Sequence, residues 1–108
     1  MTDVVIVLTT IPEDLDGDAL ARTLVEEGVA ACVTLGPSAR STYRWQGAVE
    51  SATERPVTIK TTLSRVAALE AAVKGAHPYE VPEFLVLPVT AGSAEYLAWV
   101  RATTTEWP

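Results

Sequence analysis

The stretch Ser41-Thr42-Tyr43-Arg44-Trp45-Gln46-Gly47-Ala48-Val49-Glu50 carries the pattern of a β-hairpin. Side chains on its first arm alternate in direction, and Gln46-Gly47 suits a two-residue turn. With that turn, position 45 faces 48, 44 faces 49 and 43 faces 50. Tyr43 and Glu50 then become cross-strand neighbours, and Trp45 lies on the same face as Tyr43. The return arm runs from Val49 to Lys60 and contains Pro56, which removes a ladder donor, so an edge, a bulge or a break is expected there.

Working outward, the hairpin is flanked by two units that echo each other. Upstream, Val4 to Leu8 is a β-branched, apolar run of the kind buried on both faces of a sheet. Asp14, Asp16 and Asp18 crowd the start of a helical pattern, where carboxylates cap free N–H groups and oppose the helix dipole. Leu20, Ala21, Leu24 and Val25 form its apolar stripe, Gly28 ends it, and Val29 to Leu35 is apolar again. Strand, helix and strand within about thirty residues make a βαβ unit with a right-handed crossover.

Downstream, Val57 to Leu63 opens the second unit, and Lys60-Thr61-Thr62-Leu63 matches Leu8-Thr9-Thr10-Ile11 at the corresponding strand end. Leu63, Val66, Ala67, Leu69 and Val73 give helical spacing up to Gly75, and Phe84 to Val89 reads as a buried strand. Ser93 is positioned to cap a third, short helix that packs through Tyr96, Leu97 and Val100. The last residues, Thr103 to Pro108, show no periodicity and are expected to form a flexible tail, frayed or docked through Trp107. Two βαβ units joined by a hairpin predict an α+β, ferredoxin-like split βαβ sandwich. The hairpin arms exceed what a four-stranded sheet needs. A ribbon carrying Tyr43, Trp45 and Val49 into solvent is marginal alone and should find a partner chain.

The totals narrow the function. At 108 residues the chain is read as a single domain, able to bury roughly two-thirds of its unfolded surface. A net charge of −6, with only eight Lys and Arg and no basic run, makes nucleic acid an unfavourable partner. One cysteine allows no internal disulfide, and no basic region followed by an apolar stretch and a cleavage site opens the chain, so a cytoplasmic protein is expected. No apolar run approaches the ~20 residues that span a bilayer, and no membrane partner is expected. An apolar content of 48% and a mean hydropathy of +0.20 leave room for an oligomer interface.

Between the second helix and its strand lies His77-Pro78-Tyr79-Glu80-Val81-Pro82-Glu83. It holds the only histidine, and its prolines fix φ and push the residues before them into extended conformations, giving a stiff, polar loop braced by two core elements. The prolines alternatively do no more than stop a helix and start a strand.

These motifs, in order, resemble those of the CutA family, the so-called divalent-cation tolerance proteins. The matching pieces are Ala30-Ala31-Cys32-Val33, Ser41 to Gly47 followed by Glu50, Ile59-Lys60-Thr61-Thr62, His77 to Glu83, and Tyr96-Leu97-Ala98-Trp99, covering about residues 4 to 102. The resemblance implies a ferredoxin-like subunit in a tight homotrimer whose long hairpins pair between subunits. It also implies copper or other divalent-cation binding and a part in metal tolerance or homeostasis. The family resembles the trimeric PII signalling proteins in architecture, which gives the alternative of a signalling or scaffold trimer that binds a small ligand at intersubunit clefts. In some members a cysteine at the end of the first strand serves with the loop histidine as a copper ligand. This chain has Thr9 there, a poor ligand for a soft cation.

His77 is the leading metal candidate, with Glu80 or Glu83 adding an oxygen, because imidazole suits copper, nickel and zinc. The competing role is a backbone hydrogen bond in a structural turn. Tyr43, Trp45, Glu50, Lys60, Tyr79, Glu80 and Glu83 form a second group that would line an intersubunit cleft for a small ligand, with Lys60 holding an anion or pairing with Glu80 or Glu50. Interface packing explains Trp45 equally well. Cys32, in an apolar run, reads as a small core residue. The Asp14, Asp16, Asp18 series lacks the glycine and glutamate of a calcium loop, since Ala19 and Val25 stand at those positions. No nucleophile and base pair, and no anion cradle after the first strand, is visible, so no enzymatic activity is expected.

Overall fold

The computed structural model describes residues 2–104. The chain runs β1 (Val4–Pro12), α1 (Gly17–Glu26), β2 (Cys32–Leu35), β3 (Ala39–Trp45), β4 (Ala48–Thr62), a single 3₁₀ turn (Leu63–Arg65), α2 (Val66–Ala76), β5 (Leu85–Pro88) and α3 (Ala94–Thr103). The sheet order is β2-β4-β1-β5, with β3 paired to the outer half of β4. β4 and β1 are antiparallel central neighbours, so each βαβ unit is split by a strand of the other. This is the ferredoxin-like arrangement.

The hairpin register matches the expected one: Trp45 faces Ala48, Arg44 faces Val49 and Tyr43 faces Glu50. Gln46 and Gly47 both have positive φ, 49° and 81°, as the right-handed strand twist demands of a two-residue turn. At Pro56 the pairing of β4 changes from β3 to β2. The Pro56 carbonyl accepts from Gly36 N at 2.8 Å, so the missing donor points to this break and costs no bond to β1.

Alternation along β1 divides the sheet into two faces. Val5, Val7 and Ile11 join Val57 and Ile59 of β4 and meet Leu24 of α1 and Leu69 and Val73 of α2, all buried. Asp16 caps α1, accepting from Ala19 N at 3.0 Å, and Gly28 leaves the helix at φ 72°. Val4 points the other way and packs with Ala31 and Val100, which places α3 on the face opposite α1 and α2. Ser93 caps α3 by accepting from Tyr96 N at 3.1 Å.

Several expectations change, beginning with Leu63, which lies in the 3₁₀ turn ahead of α2 and is exposed. Val25 is exposed, because β2 and the sheet meet α1 on its Leu24 side, and Tyr96 of α3 is likewise exposed while Leu97 and Val100 face the core. β5 is not a buried strand: Leu85, Val86 and Leu87 are 55%, 39% and 41% exposed. Among the described residues it is an edge strand hydrogen-bonded to β1 alone, and the face it shares with Ile6 and Leu8 has no covering element apart from α3 at one end. The tail expected from Thr103 onward starts later: Thr103 ends α3 and Thr104 is buried, its hydroxyl donating to the Val100 carbonyl at 2.8 Å, while the remainder with Trp107 lies outside the described residues.

Candidate functional site

The loop after α2 is tied to the far end of β1 by two side chains. Thr9, 2% exposed, donates its hydroxyl to the Glu83 carbonyl at 2.6 Å. His77 caps α2, and its Nε2 lies 2.7 Å from the Thr10 carbonyl. Its Nδ1 accepts from the Tyr79 backbone N–H at 3.1 Å. A nitrogen that accepts an N–H bond carries no proton, so the imidazole is the neutral tautomer with its proton on Nε2, donated to Thr10. Both ring nitrogens are therefore occupied by backbone, the structural role weighed against metal binding. The Tyr79 ring stacks at a tilt on His77, centroids 4.6 Å apart.

So held, Tyr79 reaches across to β4. Its pKa is pushed up to about 12, first by burial and then by hydrogen bonding to, and the charge of, Glu54. Glu54 is 6% exposed and also accepts from the Thr10 hydroxyl at 3.4 Å. Between this loop and the base of the hairpin lies a cleft of about 530 Å³, lined by Thr10, Ser41, Thr42, Tyr43, Trp45, Glu50, Glu54, Tyr79, Glu80, Val81 and Glu83. Six of the expected residues meet there: Tyr43, Trp45, Glu50, Tyr79, Glu80 and Glu83. His77 stands behind the wall as the bracket of the loop.

Within one chain Lys60 does not join them. It faces Ile6 and Cys32, about ten residues and so roughly 33 Å along β4 from Glu50, too far to pair with Glu50 within one chain. Nor does it pair with Glu80 among the described residues. Cys32 is half-buried beside Thr34, not a core residue, and lies towards the other end of the sheet from the loop. Among the described residues no three His, Cys, Asp or Glu side chains come together as a metal cage. Glu54, Thr10 and Ser41 had escaped notice. The signal for Glu54 was present, because on a strand of period two it shares the face of Glu50.

The model of the "CutA1 divalent ion tolerance protein" family matches residues 5–103. The chain belongs to this family. The CutA chain is 45% identical to the divalent-cation tolerance protein CutA of Pectobacterium atrosepticum, over 95% of this chain and 94% of that one. Its fold matches the divalent cation tolerance protein of Thermus thermophilus with a TM-score of 0.90 and 42% identity, covering 94% and 99% of the two chains. A Nostoc structure described as a "PII-like protein CutA" matches at a TM-score of 0.86 and 36% identity, covering 95% and 99%. Thr9, near the end of β1, has its hydroxyl committed to the loop backbone.

Proposed function

We propose that this chain acts as a cytoplasmic homotrimer that contributes to the tolerance of divalent cations, copper among them, with no catalytic step of its own. The observation that carries the reading is the family match over residues 5–103. Assembly is supported by the exposed apolar side chains of Leu85, Leu87 and Trp99. Covering the exposed half of such a leucine is worth about 1 kcal/mol. The cytoplasmic location carries over from the sequence reading, and no described helix is long and apolar enough to cross a membrane. Recovery of the protein outside the cytoplasm on cell fractionation would overturn that part.

A cation reaching His77 has to displace the Tyr79 N–H from Nδ1, and Glu80 or Glu83 would add oxygen. Imidazole with carboxylate suits copper(II), zinc or nickel, whereas copper(I) favours thiolate. The test is calorimetric titration of the intact protein and His77→Ala with copper(II) and zinc. Binding at least tenfold weaker in the variant is expected; unchanged affinity would remove His77 from the site.

A second reading has its own observation, the walled cleft between the hairpin and the loop. It fits a trimer that binds a small ligand for signalling, as the PII-like description of the Nostoc relative suggests.

A further inference from the structure

A lysine stands on the face of the sheet opposite α1 and α2. Ile59 packs into the core under those helices, so by strand alternation Lys60 points the other way, between Ile6 of β1 and Cys32 of β2. It is half-buried. Ile6 pairs in turn with Leu87 of β5, and along β4 the same face carries Thr58 and Thr62. No carboxylate stands among these neighbours, and no ion pair of Lys60 forms among the described residues.

Assembly raises the cost of that isolation. A second copy that covers Leu85 and Leu87 takes Lys60 out of water with them, and an ammonium buried without a counter-ion is unfavourable. A closed ring of three chains makes head-to-tail contacts, in which a patch meets a different patch of the next chain. The sheet face of one copy therefore meets another part of its neighbour. The hairpin is the part free to reach it, since from Ala48 to Thr53 β4 pairs with β3 alone. On the side of the hairpin that continues the Lys60 face, this free stretch of β4 carries one carboxylate, Glu50, opposite Tyr43. Arg40 and Arg44 alternate to the other side.

We propose that Lys60 of one copy pairs with Glu50 of the next, so that the cleft between hairpin and loop is completed by a neighbour's lysine. This rests on the homotrimer of the proposed function. The cleft of the second reading is then an intersubunit feature, with a cation among its carboxylates that an isolated chain does not supply.

The test is zero-length cross-linking of the native protein with a water-soluble carbodiimide, at a concentration where light scattering has fixed the mass, followed by peptide mass spectrometry. Within one chain about ten residues of β4, roughly 33 Å, separate the two side chains, so a Lys60–Glu50 amide joins two copies. That linked peptide is expected, from covalent dimers and trimers. A trimer in which Lys60 links to another carboxylate, or to none, would overturn the pairing and leave the trimer. A native monomer would overturn both. Charge reversal gives a second arm: Lys60→Glu and Glu50→Lys should each weaken assembly at least tenfold, and the chain carrying both should recover most of the loss. A double variant no better than the single ones would contradict the pairing. The cross-link needs no variant, so a reversal that fails to fold leaves the test standing.

Discussion

Thr9 and His77 hold the loop by bonds to backbone, and this is why their roles were hard to see beforehand. A sequence displays side chains; it does not display which carbonyl a fold brings beneath them. The Glu83 carbonyl lies 74 positions from Thr9 and meets it at 2.6 Å. Replacing Thr9 by Val should cost about 1–2 kcal/mol, the usual result of leaving a buried acceptor unpaired, read from urea unfolding. A change of a few tenths would mean the staple contributes little. Tyr79 makes a second prediction. Its folded pKa of about 12 stands above the ordinary 10.0, so the fold favours the protonated phenol. That contribution is whole below pH 10 and is lost as pH rises through about 12. In an absorbance titration of the three tyrosines, one should ionise late. In Glu54→Gln it should move part of the way back, because burial, the larger cause, remains. Glu54 itself was passed over because its depth depends on Thr10 and Tyr79 arriving from distant segments.

At the scale of elements the sequence was most transparent where local chemistry decides. Gln46-Gly47 and strand alternation settle the hairpin register, and every facing pair from Tyr43–Glu50 to Trp45–Ala48 follows. Gly47 has φ 81° with nothing within 4 Å of where a Cβ would stand, so the penalty for a side chain is purely conformational. Gly47→Ala should therefore destabilise by about 1–2 kcal/mol. Elements were misjudged where burial depends on what covers them. β5 has a core-like composition, Leu85 to Leu87, yet its place at the sheet edge leaves it exposed. Lys60 and Tyr43 were grouped for a cleft between subunits; within one chain the 15 residues of β4 keep them at opposite ends.

The whole molecule is unfinished on one side. α1 and α2 close one face of the sheet, while the other presents Leu85, Leu87, Tyr96 and Trp99 to solvent, together with a hairpin carrying Val49 at 72% exposure. Such a surface on a chain of this size marks an interaction site. The proposed homotrimer uses it, and the cleft at the hairpin base opens on the same side of the sheet. The most direct test is the mass in solution by light scattering for the native chain and for Leu87→Glu, which places a charge on that face. Three chains of 11.5 kDa are expected for the native protein and one for the variant. A native monomer, or a variant that still assembles in threes, would contradict the account.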